Sequence, residues 1–191
     1  MKHCLIVFAK EPKKGLVKTR LRANLSDAQC VNLYKGFLKD TIATAKKVKC
    51  QMRIMAYESN GKAPIFLKKI ANGFRFYKQK GKDLGRKLHN AFKFASRIGA
   101  SKTVIIGSDS PDLPKSYISL AFDKLKYNDL VLGPTYDGGY YLIGQKLPCK
   151  KIFENIKWGS SLVFRKTKEM ARKEKKKTAV LGLWHDIDTP Q

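Results

Sequence analysis

Cysteine is sparse in this chain, and none of it looks paired. Cys4, Cys30, Cys50 and Cys149 are scattered with no Cys-x-x-Cys spacing, so neither a disulfide framework nor a zinc site is indicated. Long apolar runs are missing as well. The run Cys4 to Ala9 is too short for a signal-peptide core, and no stretch approaches the length that spans a bilayer. A reduced, cytoplasmic protein with no membrane span is the expectation. Acid is the third deficit: 15 Asp and Glu face 40 Lys and Arg, a formal charge of +25 in 191 residues.

A field of that sign attracts nucleic acid, anionic membranes or phosphorylated small molecules. Lysine supplies most of it and arginine little. The densest run, Arg165 to Lys177, contains no aromatic side chain, whereas single-strand binders interleave bases with aromatic platforms. It reads as the solvated face of a helix, and nucleic-acid binding is the less favoured reading. Catalytic triads are another absence: no Ser-His-Asp or Cys-His set is visible, and His89 falls mid-helix as a packed or solvated residue. Internal repeats and linkers are not found, so residues 1–191 are expected to form one domain.

What is present is an alternation of strand and helix signals. His3 to Ala9 is a buried-type strand, and Ser26 caps a helix whose Cys30, Leu33, Tyr34, Phe37, Leu38, Ile42 and Ala45 share one face. Strands are expected at Met52 to Tyr57, Phe74 to Tyr77, Thr103 to Ile106, Asp129 to Leu132, Tyr140 to Ile143 and Ala179 to Leu183. Helices are expected at Pro64 to Ala71, Leu84 to Ile98, Lys115 to Leu125 and from near Ser160. Short connections between them predict a mostly parallel sheet covered on both faces. The consecutive strands from Asp129 to Ile143 add an antiparallel element.

Candidate chemistry gathers where such strands end. Gly107-Ser108-Asp109-Ser110-Pro111 delivers Asp109 to the carboxyl edge, where open α/β sheets bind ligands. Asp109 suits magnesium or manganese, although turn formation explains an Asp before Ser-Pro equally well. Asp112 reads as the charge at the start of the next helix. Asp186 and Asp188 lie on one side of an extended segment and could join the ion, and a solvated chain end is the alternative. His185 beside them is second in rank to oxygen ligands.

The loop Lys10 to Arg22 holds six basic residues against one acid. Lys10, Lys14, Gly15, Lys18 and Arg20 are placed to wrap a polyphosphate, with Arg20 able to clamp two oxygens. It is neither a Walker A sequence nor a Gly-x-Gly-x-x-Gly fingerprint, and a solvated loop is the plain alternative. Gly85 and Arg86 open a helix and could add donors near a base or phosphate. Gly138 and Gly139 mark a tight turn or a close ligand approach, with Tyr140 and Tyr141 as a wall. Ser160 reads as an N-cap.

Phe8-Ala9-Lys10-Glu11-Pro12, Gly15-Leu16-Val17-Lys18-Thr19-Arg20-Leu21, Gly107 to Leu113, Asp137 to Gly144 and Asp186 to Pro190 together resemble a family of small prokaryotic glycosyltransferase-like proteins. These are relatives of nucleotide-diphospho-sugar transferases with the GT-A fold, and more distant similarity reaches the guanylyltransferases for molybdopterin and 2-phospholactate. The resemblance spans nearly the whole chain and implies a three-layer α/β/α Rossmann-like sandwich with a mostly parallel, mixed sheet. It also implies a divalent ion, Mg2+ or Mn2+, on the Asp109 position and a nucleotide over the first loop. Asp109, Lys18 and Arg20 are then the catalytic candidates, with Asp186 and Asp188 as further metal ligands.

Two departures stand out: Trp158-Gly159-Ser160 replaces the family's Trp-Ser-Thr, and the chain stops one residue after Pro190, where relatives continue. A missing tail would be expected to weaken helix packing or an oligomer contact. The expected function is a metal-dependent transferase using a nucleotide sugar or a nucleoside triphosphate and an unknown acceptor. Nucleotidyl transfer with release of pyrophosphate is the alternative. A basic nucleic-acid-binding protein on a transferase scaffold is the reading from another class. A homo-oligomer is left open.

Overall fold

The computed structural model describes residues 2–188; Thr189 and Pro190 of the last motif lie outside them. Seven strands form one sheet in the order β3-β2-β1-β4-β6-β5-β7. The strands are β1 (His3–Lys10), β2 (Met52–Glu58), β3 (Arg75–Lys78), β4 (Lys102–Ile106), β5 (Leu130–Pro134), β6 (Tyr140–Gln145) and β7 (Thr178–Val180). Only β6 runs antiparallel, to both β4 and β5, which is the expected interruption. Strand order reverses between β1 and β4, the place where such sheets open a ligand crevice.

Helices α1 (Asp27–Lys47), α2 (Ile65–Ile70) and α4 (Lys115–Lys124) cover one face. Helices α3 (Leu84–Arg97) and α5 (Val163–Lys173) cover the other. The three-layer α/β/α architecture is therefore as the sequence predicts. The central strands β1 and β4 are buried on both sides: Leu5, Val7, Val104 and Ile106 pack under α1 and α4, while Cys4, Ile6 and Ile105 pack under α3. Continuous β-branched and aliphatic runs in those strands follow from that double burial.

Helix α1 starts as a capping box. Ser26 accepts from the Gln29 N–H, and the Gln29 side chain accepts from the Ser26 N–H at 2.9 Å. Two helix starts differ from expectation. Asp112 does not serve α4, whose cap position is taken by Pro114; its carboxylate instead accepts from Trp184 Nε1 at 3.3 Å and meets His185 Nε2 at 2.8 Å. Helix α5 begins at Val163 rather than near Ser160, and the Ser160 hydroxyl donates to the Lys157 carbonyl at 2.7 Å. Strand β7 is shorter than expected, yet Leu181 N–H and Trp184 N–H still bond to Leu132 and Pro134 carbonyls. The chain thus climbs beside β5 to the carboxyl edge. No helix among the described residues is long and apolar enough to cross a membrane.

Candidate functional site

A cavity of about 780 Å³ opens at the carboxyl edge, over the ends of β1, β2, β4 and β6. Its volume is in the range of small-molecule and cofactor sites. Phe8, Leu84 and Leu88 supply apolar walls, and Tyr140 and Tyr141 both line it. On the β2 side Glu58 pairs with Lys87 at 2.5 Å. Gln79 beside them is fixed by donating Nε2 to the Ala56 carbonyl at 2.9 Å and the Ala9 carbonyl at 3.3 Å.

Lys18 organises the opposite rim in a way its sequence context does not suggest. It adopts left-handed backbone, φ 49°, which costs a side-chain-bearing residue about 1–2 kcal/mol. That turn sends its side chain inward, where it is 2 % exposed. The ammonium donates to Asp109 Oδ1, to Asp188 Oδ1 at 2.8 Å and to the Ile187 carbonyl at 2.8 Å, and it lies 5.0 Å from the Phe37 ring centre. All three N–H bonds are used, so one lysine joins the first loop, the end of β4 and the ascending carboxyl-terminal segment. The Ile187 N–H bonds to the Asp109 carbonyl at 2.9 Å and fixes the same junction through backbone.

A second support comes from α1. Tyr34, buried on the inward face of that helix, accepts from the Lys10 N–H and shares a hydrogen bond with Ser108, each at 2.9 Å. Burial, only partly offset by the Ser108 hydrogen bond, pushes its phenol well above the usual range, so it acts as a neutral strut. The expected amphipathic pattern placed Tyr34 in the core but carried no sign of this polar tip. Glu58, Gln79 and Lys87 were likewise not singled out by sequence, since nothing local distinguishes them.

The predicted residues divide into groups. Asp109, Asp188, Lys10, Lys18 and Arg20 line the cavity. Lys10 and Arg20 are exposed and make no ion pair among the described residues, whereas Lys18 is spent on carboxylates. Lys14 is exposed and Gly15 only shapes the turn at φ 80°; neither lines the cavity. Asp186 lies beside the cluster: burial, then Asp137, Asp188 and Asp109, raise its carboxyl above the usual range.

The remaining glycines serve packing. A Cβ on Gly138 would sit 2.0 Å from the Ser161 carbonyl oxygen, and one on Gly85 would sit 2.6 Å from Trp158 Cζ2. Their close approaches are thus to protein, which is a correction to their expected role at the ligand. Gly139 donates its N–H to Asp137 Oδ1 at 2.9 Å and also lies outside the cavity lining. Arg86 points away too, into a neighbouring cleft.

The donor chemistry suits a hard divalent cation, being all oxygen. Among the described residues no three acidic, histidine or cysteine side chains already converge as a metal-binding group. Lys18 stands between Asp109 and Asp188 as the compensating charge. Burial first, and then the neighbouring Asp137, Asp188 and Asp109 carboxylates, hold the Asp186 carboxyl above its usual range.

Comparison with known proteins sets this geometry in context. The chain is similar to a provisionally assigned nucleotide-diphospho-sugar transferase from Desulfovibrio desulfuricans G20, at 32% identity over 98% of this chain and 82% of that one, with a TM-score of 0.90. CMP:2-keto-3-deoxy-manno-octonic acid synthetase in complex with CTP shares the fold at 8% identity, 100% and 94% coverage and a TM-score of 0.59. So does Rv0371c from Mycobacterium tuberculosis in complex with manganese, at 10% identity, 100% and 94% coverage and 0.56. No curated protein matches the chain in sequence. Residues 41–160 match the model of DUF2064, and the chain belongs to that family, described as an uncharacterized protein conserved in bacteria.

Proposed function

We propose that the chain is a divalent-metal-dependent transferase that takes a nucleotide sugar and passes its glycosyl group to an acceptor. The observation that carries this reading is the meeting of Asp109 and Asp188 on Lys18 at the rim of a nucleotide-sized cavity. The 32% identity to the Desulfovibrio transferase supports it.

Mg2+ or Mn2+ would be held by Asp109 and Asp188, with Asp186 completing an oxygen set. When bound, the ion neutralises charge developing on the diphosphate leaving group. Lys10 and Arg20, exposed and without an ion pair among the described residues, reach for the phosphates, and Arg20 can hold two oxygens at once. Lys18 holds the two carboxylates on one ammonium and adds a positive charge beside the leaving group. Phe8, Leu84 and Leu88 flank a flat base, and the Glu58–Lys87 pair and the Gln79 amide present polar groups to its edge.

Nucleotidyl transfer is the second reading, favoured by the fold shared with a synthetase that binds CTP. The two differ in the bond that breaks: release of pyrophosphate from a nucleoside triphosphate marks nucleotidyl transfer, and release of a nucleoside diphosphate from a nucleotide sugar marks glycosyl transfer. Product analysis decides between them, and calorimetry with nucleotides and nucleotide sugars in magnesium or manganese tests the metal-dependent site that both readings share. Asp109→Ala is expected to lose metal-dependent nucleotide binding while remaining folded, and turnover should fall about a hundredfold, near 3 kcal/mol for one positioned electrostatic group. Wild-type affinity in that variant, with metal present, would overturn the reading.

A further inference from the structure

A second cleft, of about 460 Å³, lies between the first turn of α3 and residues 150–158. Lys82, Arg86, Lys150 and Lys157 line it, with Asp83 and Glu154 as its acids. Both acids are engaged. Asp83 caps α3 by accepting from the Arg86 N–H at 2.7 Å, and Glu154 pairs with Lys150 at 3.2 Å. Lys82, Arg86 and Lys157 are exposed and make no ion pair among the described residues.

The walls are fixed by packing. Trp158 closes on Gly85, leaving no room for a Cβ there, and lies tilted beside Phe153, which in turn stacks on Phe92 in the core at 6.4 Å. Asn155, in left-handed backbone at φ 59°, bends the segment. The result is a rigid recess with three unpaired cations and one half-buried indole. Scattered lysines on a basic surface do not by themselves produce that combination.

Position decides what the recess is for. The first turn of α3 is a partition: Leu84, Lys87 and Leu88 line the main cavity, while Lys82, Asp83, Gly85 and Arg86 line the second cleft. A helix with its side chains is about 10–12 Å thick, a span that a phosphorylated small molecule lying over the helix end can cover.

We propose that this cleft holds the phosphate of the second substrate, which makes the acceptor a phosphorylated small molecule. Two ammonium groups and a guanidinium around one concavity suit a dianion, and charge-assisted bonds to it are roughly twice as strong as neutral ones. Arg86 supplies the planar fork for two phosphate oxygens, and Lys82 and Lys157 supply point charges. The name of acceptor rests on the transferase reading; the anion site itself does not.

The test uses Trp158 as reporter. Trp184→Phe leaves it the sole indole of the two in the chain, and inorganic phosphate is titrated while its emission is followed. A saturable response is expected, retained when Lys10→Ala and Arg20→Ala are added and weakened at least tenfold by Lys82→Glu with Lys157→Glu, both surface positions. No saturable response, a response equal in the double-glutamate variant, or its loss when Lys10 and Arg20 are replaced would each overturn the proposal, the last by assigning the phosphate to the main cavity. Nucleotide binding is measured separately by calorimetry on the same proteins. A charge-dependent phosphate response without nucleotide binding would sink the transferase reading and leave the anion site standing, and the converse result would do the reverse.

Discussion

Two lysines are buried at opposite ends of the sheet, and their surroundings could hardly differ more. Lys18, 8 % exposed, sits at the carboxyl edge with its ammonium divided among two carboxylates and a carbonyl. Lys102, 5 % exposed, opens β4 at the amino edge. It makes no ion pair among the described residues and has Lys126 and Lys146 for neighbours, while Asp123 is committed to Lys126 at 2.7 Å. Burial and those two lysines push the Lys102 amine below its ordinary value. The first lysine is a joint that holds three segments of the site. The second is a charge the fold tolerates. Burial of a charged residue therefore marks function here only where the partners converge from distant parts of the chain.

Breaking the joint should have the larger effect. Lys18→Met leaves Asp109 and Asp188 facing each other without compensation. Removing one member of a fully buried pair costs about 3–5 kcal/mol; these carboxylates are 47% and 35% exposed, so water offsets part, and about 2 kcal/mol is expected. Urea denaturation reads that loss, and calorimetry should show nucleotide affinity falling with it. Lys18→Arg sharpens the point. A planar guanidinium cannot aim at three converging acceptors as an ammonium does, so roughly 1 kcal/mol should be lost. Stability equal to wild type in both variants would show that the carboxylates do not need this cation.

The same contrast explains what was legible in the sequence. Alternating strand and helix signals, the Ser26 cap and the delivery of Asp109 past Gly107 are local patterns, and apart from the bounds of α5 and β7 they are found where expected. The turn of Lys18 is not local. Its partners are 91 and 170 residues away, and a lysine in a basic loop reads as a phosphate contact until the backbone is seen to be left-handed. Gly138 misled for a similar reason: its φ of 85° was legible as a tight turn, but the atom it makes room for, the Ser161 carbonyl, belongs to the approach to α5. That docking accompanies the late start of α5: Ser161 meets Gly138 just before the helix, and the Phe164 N–H in its first turn bonds to the Gly138 carbonyl at 2.8 Å. Asp112 went to Trp184 and His185 because Pro114 already fills the cap position of α4.

The smallest effect belongs to the amino edge, and it has the opposite sign. Lys102→Met removes a charge that the folded state disfavours and keeps an apolar stem of similar length, so stability should rise by up to about 1 kcal/mol at neutral pH. The sign follows from linkage. With the folded-state value lowered from the ordinary 10.5, the unfolded chain binds the proton more tightly. The wild-type penalty is complete at neutral pH and fades as pH climbs through the lowered value toward 10.5. The advantage of Lys102→Met should shrink over that window. It should also shrink in high salt, which screens Lys126 and Lys146. Thermal or urea unfolding of both proteins across that range decides it. A variant less stable than wild type at neutral pH would mean that Lys102 has a favourable partner, and would erase the distinction between the two ends of the sheet.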